Sequence, residues 1–282
     1  MFGLSVALTT PFSKGGAIDE DIIVSHSKWV LQNGANSITL FGTTGEGTSI
    51  SQMEKQAVVK KLINARIRPE QLIATVITPS FEEVISQCRE YHKLGIKKVL
   101  LAPPFFFKDL SFEGVLNWYV SVFIPISTLK MQFILYNIPQ LTMVPIEPKH
   151  IALLKERFGS EMIFGVKDST GHLDGTKEFL KDEDLMVAVG DERTLADAVN
   201  CGAAGAICGM SNIFPDALAE IIITKKHDEM VNKITNLVVK APVTASVKAL
   251  LAIKSKNADW LKVRPPLEAA TQAHQLILRN SL

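Results

Sequence analysis

Ile163-Phe164-Gly165-Val166-Lys167-Asp168-Ser169 is a short apolar run that stops on a lysine and an aspartate. Aliphatic residues in such a run, without polar alternation, fit a strand buried on both faces, as in a parallel sheet. The same pattern recurs before it at Leu4–Thr9, Ser37–Leu40, Leu72–Ile77, Lys98–Ala102 and Gln132–Tyr136, and after it at Met186–Val189 and Ala204–Cys208. The segments between read as helices over Ile18–Asn33, Ser51–Ala65, Phe81–Leu94 and Glu192–Asn200. Ser51 with Glu54 has the spacing of a capping box. Gly34, Gly95 and Gly202 stand where helices commonly stop. Eight strands alternating with helices predict an α/β fold, a (β/α)8 TIM barrel.

Further helix-like stretches follow strand eight at Pro215–Thr224, His227–Val239, Val243–Ala252 and Leu267–Leu278. That is more helix than barrel closure requires. The expected division is a barrel over residues 1–223 and a helical extension over 224–282 packed against it, not an independent domain. The length of 282 residues suits one such barrel, a class that commonly runs to ~250 residues.

Composition limits the partners. The formal net charge is +1, which gives no reason to expect nucleic acid or an anionic membrane. No apolar run approaches the ~20 residues of a membrane span. The stretch Met1–Pro11 lacks the basic and apolar regions of a signal peptide. Cys88, Cys201 and Cys208 fit neither a zinc pattern nor a disulfide framework. The expectation is a cytoplasmic protein without metal.

In a barrel of this kind the site lies at the C-terminal ends of the strands. Lys167 ends strand six, and a lysine in a partly desolvated pocket becomes a nucleophilic amine able to form a Schiff base with a ketone. The competing reading is a lysine paired with a carboxylate at a loop. Tyr136 ends strand five and can give and take a proton, or simply pack at the rim. Gly42-Thr43-Thr44-Gly45 offers hydroxyls and backbone N–H groups to a carboxylate, or is an ordinary turn. Asp191 and Glu192 are candidates to bind hydroxyls of a polar substrate, or acids favoured at a helix N-terminus.

Together these residues resemble the dihydrodipicolinate synthase / N-acetylneuraminate lyase family of class I, Schiff-base pyruvate aldolases. The resemblance spans nearly the whole chain: Thr9-Thr10-Pro11-Phe12, Gly42-Thr43-Thr44-Gly45-Glu46, Pro103–Phe107, Tyr136-Asn137-Ile138-Pro139, Gly165-Val166-Lys167-Asp168 and the Gly-rich strand eight. It implies Lys167 as the Schiff-base lysine, Tyr136 as the proton relay with Thr43, and Thr44 with Thr43 as carboxylate ligands. Gly45, Ile207, Asp191, Glu192, Leu141 and Cys208 are implied on the substrate side. It further implies a homotetramer, a small 2-keto acid as partner, and no cofactor.

Two departures bear on the substrate. Leu141 stands where the synthase carries an arginine for the carboxylate of its aldehyde substrate, and a guanidinium clamp is not replaced by an alkyl group. Phe106 stands where the synthase lends a tyrosine to a neighbouring subunit. Leu141, Asp191 and Glu192 look like the lyase branch, although Cys208 replaces a serine and Val189 a glycine of the sialic acid lyases. The expected activity is a pyruvate-dependent aldolase or lyase on a sugar-acid type 2-keto acid. The alternatives are the synthase itself, condensing pyruvate with aspartate semialdehyde, a 2-keto-3-deoxy sugar acid dehydratase, and a non-catalytic keto-acid-binding protein.

Overall fold

The computed structural model describes residues 2–282. Its strands are β1 (Gly3–Ala7), β2 (Ser37–Leu40), β3 (Leu72–Val76), β4 (Lys98–Leu101), β5 (Gln132–Asn137), β6 (Ile163–Asp168), β7 (Met186–Val189) and β8 (Gly205–Cys208). Each pairs in parallel with the next, and β8 pairs with β1, so the sheet closes into a TIM barrel. Every apolar run read from the sequence is a strand, with ends that differ by a residue or two.

The first three expected helices form over Glu20–Gln32, Gln52–Asn64 and Phe81–Lys93. Ser51 and Glu54 make the reciprocal capping box, with Ser51 N donating to Glu54 Oε2 at 3.0 Å and Glu54 N to Ser51 Oγ at 3.3 Å. Helices over Phe112–Phe123, Pro148–Phe158 and Leu173–Phe179 complete the units after β4, β5 and β6. Beyond β8 come Pro215–Thr224, Glu229–Val238, Val243–Ser255 and Gln272–Arg279. Leu267–Leu278 was expected to be helical throughout, but its helix begins only at Gln272. Thr271 caps that start by accepting from His274 N at 3.2 Å.

The barrel interior is filled by an apolar cluster of Ile73, Leu100, Ile134, Met186 and Ile207 together with Tyr136. Outside, one apolar cluster joins Val189 and Ala206 of the barrel to Ile234, Leu250, Trp260 and Leu278 beyond it. The helices after residue 224 therefore share a core with the barrel wall.

A second tie is ionic. The loop after β2 is tightly wound, with Phe41 and Glu46 at φ 60° and 55°. A Cβ on Gly47 would lie 1.6 Å from the Phe41 carbonyl oxygen, so only glycine fits there. This winding turns the Glu46 side chain inward, where it pairs with Lys248 Nζ, both side chains fully buried. Lys248 Nζ also donates to the Lys262 carbonyl at 2.6 Å, and Arg264 N to Glu46 Oε2 at 2.9 Å. The Arg264 guanidinium reaches the Gly16 and Ser49 carbonyls and Glu54, whose carboxyl it holds down at about 2.

Removing one partner of a buried pair leaves an uncompensated charge, which costs about 3–5 kcal/mol. Lys248→Met is expected to lower unfolding free energy by that amount in denaturant titrations, and Lys248→Met with Glu46→Gln to recover part of it. A loss under ~1 kcal/mol for the single variant would contradict this account of the loop.

Candidate active site

The register of β5 and β6 sets Tyr136 level with Lys167. Residues level with one another on adjacent parallel strands project to the same side, so both side chains enter the barrel mouth. Lys167 Nζ donates to Tyr136 Oη at 3.3 Å and lies 4.3 Å from the ring centroid. Tyr136 Oη in turn lies 3.3 Å from Thr43 Oγ1. The three atoms form a chain along which a proton can pass, with hydroxyls free to rotate at each step. Lys167 is only 5% exposed, and among the described residues Tyr136 is its hydrogen-bond partner. The neighbouring Asp168 is used elsewhere: it accepts from Asn137 Nδ2 at 3.0 Å and from Thr176 Oγ1 at 2.7 Å. The arrangement is that of an amine held ready beside a phenol, not of a lysine spent on a carboxylate.

A cavity of about 250 Å³ opens above these groups. Thr43, Thr44, Tyr136, Leu141, Lys167, Asp191, Glu192 and Cys208 all line it. Gly45 and Ile207 do not. Gly45 packs against the Leu8 carbonyl, which a Cβ would approach to 2.5 Å, and its own carbonyl accepts from Thr10 Oγ1 at 2.7 Å. Ile207 is wholly buried in the apolar cluster of the barrel interior. A second cavity of about 280 Å³ lies across Thr43, Tyr136 and Leu141, bordered by Phe105, Thr244 and Pro266. Phe106 lines neither cavity and stands 86% exposed. Arg264, committed to Gly16, Ser49 and Glu54, also lines neither.

The two acids after β7 have partners of their own. Asp191 accepts from Arg193 N at 3.0 Å, capping the turn Glu192–Thr194, and its carboxylate takes the Arg193 guanidinium at 2.5 Å. Asp191 thus caps a helical turn, as its place at a helix N-terminus leads one to expect, and also lines the cavity. Glu192 Oε1 accepts from Met210 N at 2.6 Å, and burial pushes its carboxyl above the usual carboxylate range. Burial likewise pushes the Cys208 thiol up.

Several lining residues carried no signal in the sequence. Gln140 and Ser169 meet where Gln140 Nε2 donates to the Ser169 carbonyl at 2.7 Å. Val238, Val239, Val243 and Val247 enter from the helices beyond the barrel. Gly190 follows β7 and supplies space: a Cβ there would come within 1.9 Å of Ser169 Oγ and 3.0 Å of Lys167 Cε.

A profile described as the Dihydrodipicolinate synthetase family matches residues 1–282. The chain belongs to the dihydrodipicolinate synthetase family. Its fold superposes with a TM-score of 0.96 and 36% identity on the crystal structure of dihydrodipicolinate synthase from Agrobacterium tumefaciens, covering 100% of this chain and 98% of that one. Among curated relatives, 4-hydroxy-tetrahydrodipicolinate synthase of Methanocaldococcus jannaschii is 27% identical over 289 residues, covering 99% of this chain and 97% of the relative. That of Thermodesulfovibrio yellowstonii is 32% identical over 224 residues, covering 78% and 73%.

In this family member Gly190→Ala tests whether the space beside Lys167 is needed. The added methyl meets Ser169 Oγ at 1.9 Å, Ser169 Cβ at 2.9 Å and Lys167 Cε at 3.0 Å, so the strand end at Ser169 and the lysine side chain must both give way. A crystal structure of the variant is expected to show Lys167 Nζ out of hydrogen-bond reach of Tyr136. A separation unchanged from 3.3 Å would show that the site has slack there.

Proposed function

We propose that the chain is a Schiff-base lyase or aldolase that makes or breaks the C–C bond of a 2-keto acid, with pyruvate as the keto-acid unit. The observation that carries this reading is the chain Lys167 Nζ, Tyr136 Oη, Thr43 Oγ1, each link 3.3 Å, with the lysine almost wholly buried. In the cleavage direction the Lys167 amine attacks the keto carbon and water leaves, giving an iminium. The iminium draws electrons from the C3–C4 bond. The hydroxyl on C4 gives its proton to Tyr136 as the bond breaks, and an aldehyde departs. The enamine left behind takes a proton at C3, and water releases pyruvate and regenerates the amine. Thr43 and Thr44 hold the carboxylate through hydroxyl and backbone donors. Synthesis is the reverse. No step calls for a metal or an organic cofactor.

The aldehyde half is read as uncharged and sugar-derived. Among the described residues, Lys167 is the only basic side chain lining either cavity. A carboxylate placed beside Leu141 would lose its hydration without a partner, at several kcal/mol. The second reading is the synthase, favoured by the names of the curated relatives. We place the enzyme in the cytoplasm as a homotetramer; the family supports the assembly, as do the exposed apolar side chains Phe106, Phe107, Leu141 and Met143 in the segments after β4 and β5. Among the described residues no helix is long and apolar enough to cross a membrane.

Pyruvate with borohydride is expected to leave a reduced adduct on the peptide containing Lys167, read by mass spectrometry. Tyr136→Phe should slow turnover by about 100-fold or more, the scale of general acid–base groups, and slow adduct formation less. Labelling of another lysine, or of none, would end the Schiff-base reading. The two substrate readings separate in a coupled assay with aspartate semialdehyde. Negligible condensation is expected, and a kcat/KM of roughly 10⁴ M⁻¹s⁻¹ or above would establish the synthase instead.

A further inference from the structure

The cavity beside Lys167 has two unlike sides. One is a polar edge built at three successive strand ends: Gln140 after β5, Ser169 after β6 and Asp191 after β7. These three are joined to one another. Gln140 bonds to the Ser169 carbonyl, Ser169 Oγ borders Gly190, and Asp191 follows Gly190 directly. The helices beyond the barrel contribute a stripe of valines together with Thr235, whose hydroxyl donates to the Val231 carbonyl at 2.7 Å. Val247 is fully buried and borders Gly209 on the side where Thr44 also lies. Val243 lies one helical turn before it, and Val239 closes the preceding helix. At 43% and 39% exposed, these two stand towards the mouth. The stripe therefore runs from the keto-acid end of the site outwards.

We infer that the aldehyde half of the substrate is a short 2-hydroxyaldehyde whose tail carries no oxygen, of the class of lactaldehyde, so that the keto acid is a 2-keto acid deoxygenated at its far end. This rests on the Schiff-base reading above and narrows it. Hydroxyls on the carbons next to the new bond find Gln140, Ser169 and Asp191. A terminal hydroxymethyl would face valines, where a hydroxyl loses its water partners without replacement. In synthesis the enamine carbon of pyruvate bonds to the aldehyde carbon, and the aldehyde oxygen takes the Tyr136 proton. Water then splits the iminium, so that lactaldehyde yields 4,5-dihydroxy-2-ketohexanoate and free Lys167.

The test is a comparison of lactaldehyde with glyceraldehyde, its hydroxylated counterpart, as acceptors for pyruvate, run on a preparation whose Lys167 adduct with pyruvate has been confirmed by borohydride trapping. An apolar wall rejects an added hydroxyl by up to ~10², so kcat/KM for lactaldehyde should exceed that for glyceraldehyde by between ~10-fold and ~100-fold. Val243→Thr, which keeps the shape and adds a hydroxyl, should narrow the ratio. Trapping at Lys167 with glyceraldehyde equal or better, or with neither aldehyde used, would overturn the inference and leave the Schiff-base reading standing. Failure to trap at Lys167 would overturn both.

Discussion

The buried pair of Glu46 and Lys248 is the constraint on which the rest of the site depends. A carboxylate with no exposure needs a cation and further donors. Here it has Lys248 Nζ on one oxygen and the Arg264 backbone N–H on the other. The two partners come from beyond the barrel and the carboxylate from the loop after β2. That loop also carries Thr43 and Thr44, and the helix bearing Lys248 also carries Val243 and Val247. One interaction thus fixes the Thr43–Thr44 turn relative to the apolar wall of the cavity. The wound backbone at Phe41 and Glu46, which only a glycine at 47 permits, is what turns Glu46 inward.

The reacting groups need a different kind of support. Lys167 and Tyr136 stand on neighbouring strands of a closed sheet, where register alone sets them side by side. Strands buried on both faces hold side chains more rigidly than loops can, and a misplacement of about 1 Å can cost ~10² in rate. Asp168 shows how the sequence keeps a competing charge away from the lysine. It is buried and fully engaged with Asn137, Thr170 and Thr176, so Lys167 is left with the phenol. Gly190 then leaves space beside the amine that a larger residue would fill.

Much of this was legible in the sequence, for identifiable reasons. Strands buried on both faces read as unbroken aliphatic runs, so all eight were visible, and a polar residue closing such a run marks the functional end of the barrel. That is how Lys167, Tyr136 and Thr43 stood out before any geometry. What lay hidden was long-range. Nothing local in Val239, Val243 or Val247 says that they face a site built more than seventy residues earlier, at Lys167. Asp191 and Arg193 are close in sequence, yet only the fold shows that the arginine holds the Asp191 carboxylate while Asp191 lines the cavity. Arg264 anchors the segment beyond the barrel through partners more than two hundred residues away, which nothing local in the sequence reveals. Ile207, in β8, is buried in the barrel interior and lines neither cavity, which no pattern of residue types reveals.

The central claim is that Lys167 Nζ bonds covalently to the keto carbon of pyruvate while Thr43 and Thr44 hold its carboxylate. A crystal structure of the protein soaked in pyruvate tests it most directly. The account predicts unbroken density from Lys167 Nζ to the second carbon of pyruvate, with the carboxylate against the Thr43–Thr44 turn and Tyr136 Oη beside the new bond. Pyruvate bound without a covalent link to Lys167, or held elsewhere while the Lys167 amine stays free at saturating concentration, would contradict it.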